Sequence, residues 1–286
     1  IMIRALVLVT LSLVITAGGP AAADRAGAVL GPLVDEYFER WFEFHPQEAT
    51  RIGVHRHDDE LAAVTQSSIA AEADWLRDLG DRLRSLDSAG LTFEQRLDSA
   101  TLAARIERQL LDLEAVRPWE RNPNFYVNQV TSPVQALLQR EFSSLNSRVR
   151  SASRRLRAVP EVLRAARVNL AHPPRLYTEV AIDQTRGALR FYRETVPALT
   201  AACHEPLLLA DLAEADTLAV RAAETYLDYL IHDLLPRSDG AVALGRELYQ
   251  RKLWTDEMES APVESLLARG WTELERTRGR MRELAR

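Results

Sequence analysis

Apolar residues recur along this chain at spacings of three and four, the pattern of helices that bury one face. Ala26, Leu30, Leu33, Tyr37, Trp41 and Phe44 trace one such stripe and predict a helix over 24–44. Pro46 ends it, because the residue before a proline is pushed out of helical geometry. A short helical turn over 47–52, stopped by Gly53, and a polar loop over 54–60 are expected next. Ile69, Ala73, Leu76, Leu83 and Leu86 then form the buried stripe of a helix capped by Ser67 or Ser68. After a turn at 87–90, Thr92 and Gln95 make a capping-box pattern ahead of Leu102, Ile106, Leu110 and Leu113. These two helices and their short link read as an antiparallel hairpin.

Residues 117–132 break the pattern. Pro118, Pro123 and Pro133 surround Trp119, Phe125 and Tyr126, which predicts an ordered loop with a short extended segment at 125–130. A short helix over 134–142 follows. Val149, Ala152, Leu156, Val159, Leu163, Ala166 and Leu170 keep helical spacing across Pro160, where a kink or a new helix start is expected. His172-Pro-Pro174 stops it. Further helices are predicted over 178–196, over 197–203, from Asp211 or Asp216 to about 235, over 241–253 and from Pro262 to the end. The fold class is therefore all-α: an irregular multi-helix bundle of antiparallel helices.

Composition agrees with this reading and removes some functions. Alanine, leucine, arginine and glutamate, all good helix formers, dominate, and glycine is 12 of 286 residues. A net charge of −5 speaks against nucleic acid or an anionic membrane as the main partner. The single cysteine, Cys203, cannot form an internal disulfide and is expected to be a buried small hydrophobe.

The first residues look like an export signal: Arg4, an apolar run from Ala5 to Thr16, then Ala21-Ala22-Ala23 as a small-residue cleavage site. The run is too short for a transmembrane helix, and no cysteine follows it for lipid attachment. The expected organisation is a signal peptide over 1–23, cleaved after Ala23, and a helical domain over 24–286. The location is then periplasmic or secreted, with no stable membrane anchor after cleavage. Ile1 precedes Met2, and the last apolar stripe runs through Met281 and Leu284 with no stop signal. Both features suggest a chain truncated at Arg286. Exposed apolar surface along Leu274, Met281 and Leu284 is expected if that helix lacks a packing partner.

The densest chemistry lies in His55-Arg-His57-Asp58-Asp59. Alternating histidines can share a metal, but nothing adjacent completes the three or four ligands a structural site uses. A polar turn in which Asp58 or Asp59 caps a helix is the leading reading. His204-Glu205 and His232-Asp233 are lone pairs that do not extend to His-Glu-x-x-His, a motif absent from the chain. Nor is there a Gly-x-Ser-x-Gly elbow or a phosphate-binding glycine loop. Arg148, Arg150, Arg154, Arg155 and Arg157 could hold an anion, though the neighbouring apolar stripe favours a solvated helix face. Gly245 and Tyr249 sit one turn apart, and a glycine there would admit a close packing partner. These residues carry no catalytic, cofactor-binding or metal assignment.

Several segments together resemble a known family. They are Pro46-x-x-Ala49-Thr50-x-x-Gly53-x-His55-x-x-Asp58-x-x-Leu61, then Arg155-Leu-Arg-Ala-Val-Pro160, then Gly245-x-Glu247-x-Tyr249, and finally Leu266, Gly270 and Glu273-Leu274. Their order and spacing are similar to the N-terminal half of bacterial proteins catalogued as domain of unknown function 885. The resemblance implies a larger, helical fold like that of zinc metallopeptidases of the gluzincin type, an exported hydrolase acting on peptides. Zinc and its ligands would then lie in a C-terminal half that this chain lacks. The fragment alone would be inactive, and its helices would shape a substrate cleft. The rival reading is a non-enzymatic exported helical module for binding or scaffolding.

Overall fold

The structure, a computed structural model, describes residues 20–286, with side-chain surroundings from Ala28 onward. The apolar run of the export signal lies outside the described residues, as does the side chain of Ala26. Among the described residues the chain is helical with no strand, as its periodicity predicts.

Helix α1 (Pro20–Phe44) buries Leu30, Leu33, Tyr37 and Trp41. Helix α2 (Pro46–Arg51) follows at once and is ended by Gly53, whose φ of +93° suits glycine. Residues 54–60, expected as a loop, wind into a 3₁₀ turn at His55–His57. The cap of α3 (Gln66–Arg84) is Thr65 rather than either serine, although Ser68 completes the reciprocal capping pair. Thr92 and Gln95 cap α4 (Phe93–Leu111) as expected. Together α1 to α4 enclose one core of Leu30, Tyr37, Leu76, Leu79, Leu102 and Ile106.

The largest departure from the sequence reading is at 117–132; the helix expected over 134–142 is present as the second half of a longer one that ends at Gln139. In place of a loop with an extended segment, the chain forms α5 (Pro118–Arg121) and α6 (Pro123–Gln139). Each begins on a proline, where the missing N–H costs nothing and the fixed φ is already helical. Arg117 takes the left-handed conformation that joins them to α4, and Asn122 caps the N–H of Asn124. Pro133 sits inside α6 and Pro160 inside α7 (Leu145–Asn169), each within a continuous helix.

Helices α8 (Arg175–Arg190) and α9 (Val196–Thr200) are joined by a π-turn at Phe191–Thr195. Helix α10 (Pro206–Tyr229) starts earlier than Asp211, again on a proline. α7 and α10 form the most extensive helix pair. With α6 and α8 they enclose the larger core, in which Tyr126, Val134, Leu137, Leu156, Tyr192, Ala215, Tyr226 and Leu230 are buried. These three tyrosine hydroxyls are satisfied by donating to backbone carbonyls: Tyr126 to Trp119 O, Tyr192 to Val130 O at 3.1 Å and Tyr226 to Pro123 O at 3.0 Å. Cys203 is buried, with its thiol 3.4 Å from Asn146 Oδ1.

Two helices remain. α11 (Arg246–Glu257) rests on α4 through charge: Lys252 Nζ lies 2.7 Å from Asp256 and 3.6 Å from Asp112, and Arg108 Nε lies 3.2 Å from Asp256. Gly245 is its N-cap, with φ +84° and open space where a Cβ would stand. The glycine serves a backbone conformation, and none of the described residues packs against it. Helix α12 (Val263–Leu284) buries no residue.

Candidate functional site

The segment from Pro46 to Leu61 is gathered around one side chain, Arg155 of α7. Its guanidinium is fully buried. It donates from Nε to Glu60 O (3.0 Å), from one terminal nitrogen to Pro133 O (2.9 Å), and from the other to Thr50 Oγ1 (2.6 Å) and His57 O (3.3 Å). Thr50 in turn donates to Asp58 Oδ1 at 2.7 Å. One cation thus ties α2, the 3₁₀ turn and α6 to α7. Burial pulls the Arg155 pKa down to about 10, opposed by Asp58, Asp59 and Glu60. It stays charged at neutral pH, and its donors meet oxygens, the condition under which a buried charge is tolerated.

This corrects the reading of the arginine run as a solvated face. Arg148 is buried too, and caps α6: it reaches Leu138 O at 2.8 Å, Leu137 O at 3.2 Å and Ser143 O at 3.1 Å, carbonyls that a helix end leaves without partners. Arg157 pairs with Asp211 (2.6 Å) and Glu214 (2.9 Å) on α10. Arg154 pairs with Asp59 at the surface, and Arg150 is exposed as well. The signal was in the spacing. Positions 148, 152, 155 and 159 lie three or four apart on the inward stripe, so two of the arginines belong to the core face.

Two of the histidines, His55 and His57, belong to the 3₁₀ turn of this arrangement. His55 stacks on Phe142 with ring centroids 3.9 Å apart and lies 3.1 Å from Asp58 Oδ2. His57 lies 3.4 Å from a different carboxylate, Glu60. Asp58 caps no helix; it bridges Thr50 and His55. His45 Nε2 lies 2.7 Å from Glu72. His232 pairs with Asp228 at 2.9 Å, while Asp233 goes to Arg237. Among the described residues no three His, Cys, Asp or Glu side chains gather as a metal site. These residues therefore do not fit a zinc centre.

A family profile for bacterial proteins of unknown function, DUF885, matches residues 46–286. The chain belongs to the DUF885 family. The match begins at Pro46, the first residue of the segment that Arg155 holds. No curated protein matches the chain. Among solved structures, one from Shewanella oneidensis, described as a suspected lipoprotein of unknown function, is similar over 88% of this chain with 19% identity and a TM-score of 0.79. That likeness concerns the fold. The present chain covers 46% of that protein, less than half its length.

Proposed function

We propose that this DUF885 chain is the helical N-terminal part of an exported, metallopeptidase-like hydrolase that acts on peptides. In this reading the chain supplies one wall of the substrate cleft, and the zinc and its ligands belong to a part of the family's domain that the present residues do not include. The observation that carries the reading is α12. Leu267, Trp271, Leu274, Met281 and Leu284 are spaced along the helix and lie 38–85% exposed. A stripe of that kind is built to be covered, and the solved relative has more than as much chain again with which to cover such a face. The hydrolase, zinc and peptide assignments rest on the family resemblance. Export rests on the signal-like sequence around Arg4 and Ala21–Ala23, and no described helix is long and apolar enough to cross a membrane.

The test is to extend the reading frame and purify the longest natural product beside the 24–286 piece. Zinc content and hydrolysis of a mixed peptide library are then measured on both. Stoichiometric zinc and chelator-sensitive cleavage in the long product alone support the proposal. A long product with neither is a helical binding or scaffold module.

A further inference from the structure

Between α9 and the first half of α10 lies a cleft of about 390 Å³. Val196, Pro197, Leu209, Leu212 and Ala213 give it an apolar wall, and Asp216 brings the one carboxylate. The two hydroxyls in the lining, Thr200 and Thr217, donate to carbonyls of their own helices at 2.9 and 2.8 Å. Asp216 is different. Its Oδ1 is sealed from solvent and accepts no hydrogen bond, no described cation acts on the side chain, and a ligand in the cleft would meet the carboxylate through its other oxygen, Oδ2. Two other acids near a core are answered: Asp211, one turn earlier, holds Arg157, and Asp58 holds Thr50 and His55. An unanswered carboxylate beside an apolar cleft is costly in the free protein and is the arrangement that a cationic ligand relieves.

We propose that this cleft binds a primary ammonium group carried on a small branched apolar body, with Asp216 as its counter-ion. The free amine of a small molecule and the N-terminus of a peptide with an apolar first residue share this chemistry. The site does not depend on the hydrolase reading. Burial is the cause that raises the Asp216 pKa, to about 6. The titratable group that Asp216 influences is Tyr192, whose hydroxyl is committed to Val130 O, and the α9 wall presents no ionisable side chain. The carboxylate is therefore charged above pH 6 and protonated below it. Affinity for an ammonium ion should fall about tenfold between pH 7.5 and pH 5, where roughly a tenth of the carboxylates remain ionised.

The test is titration calorimetry on the purified protein with three probes of one shape: 3-methylbutylamine, Leu-Gly-amide and 3-methylbutanol. The expected result is saturable binding of either ammonium probe at pH 7.5, the tenfold loss at pH 5, and at least a tenfold loss in Asp216→Asn. Ala213→Leu, which fills the cleft and keeps the carboxylate, should weaken binding as much. Preference for Leu-Gly-amide would mark a peptide terminus as the ligand, and preference for the free amine a small metabolite. Equal binding of the alcohol, or binding that survives Ala213→Leu, would overturn the proposal.

Discussion

Two buried charges sit on neighbouring helices of this fold and are treated in opposite ways. Arg155 of α7 has no exposed surface, and its donors reach four oxygens on three other segments. Asp216 of α10 is half-buried, with one oxygen that has no partner. The first charge is closed: nothing further can bind to it, and its work is to hold the Pro46–Leu61 segment against the larger core. The second is open, and its electrostatic cost is unmet in the free protein. A polar residue in a family motif is thus no guide to chemistry by itself. What separates scaffold from site is whether the hydrogen-bonding capacity is already spent.

The sharpest way to break this contrast is to remove the closed charge. Arg155→Met should cost about 3–5 kcal/mol, since it strands the carbonyls of Glu60 and Pro133 and the Thr50–Asp58 pair in a dry interior. Urea unfolding measures it, and a loss under about 1 kcal/mol would mean the clamp is ornamental. Arg155→Lys keeps the charge but not the fork of donors, and should recover only part of the loss. Next in size is Thr50→Val, which keeps the shape and deletes the hydroxyl between Arg155 and Asp58. A loss of about 1–3 kcal/mol is expected from the same unfolding curves.

The open charge should respond with the opposite sign. With its folded pKa raised to about 6 from 3.8, the native state binds the proton more tightly than the unfolded chain. Stability from this group is therefore greatest below about pH 4, falls as pH rises towards 6, and is flat above. Asp216→Asn should be more stable than wild type at pH 7.5, by on the order of 1–2 kcal/mol after allowance for partial exposure. That advantage should vanish near pH 4. Thermal unfolding of both proteins across pH 4–8 reads the difference directly. A constant offset would show that Asp216 does not titrate in this window.

How much of this was legible from sequence follows the same division. Stripes such as Leu76–Leu83 and Val149–Leu163 announce helices because burial of one face imposes a 3.6-residue period. The all-α fold was readable from them. The 117–132 stretch reads as a loop because prolines at the first helical turn look like prolines in a loop; only the caps, Arg117 and Asn122, distinguish them. The arginine run was misread for a related reason. A charged residue on an inward position counts as a pattern error until its partners are known, and for Arg155 these include backbone carbonyls 22 to 98 residues away. Asp216 gave no signal at all beyond a possible helix start, because its distinction is the absence of a neighbour.

The smallest expected effect concerns α12 and bears on the proposed role of the chain. Trp271→Glu with Leu274→Glu replaces two apolar residues that are already 58% and 38% exposed. In the isolated 24–286 piece, water takes the place of water, and the change should lie within about 0.5 kcal/mol. In a longer product in which further chain covers this face, the same pair would place two charges in an apolar interface. Each uncompensated charge buried there is expensive, so the penalty should rise to several kcal/mol. The comparison needs only the two unfolding curves, with and without the extension. Equal small effects in both would leave α12 as a solvent-facing helix and remove the main support for a covered half-domain. A penalty confined to the longer product would put the interface along this stripe, opposite in character to the closed clamp at Arg155: apolar and complete only with its partner.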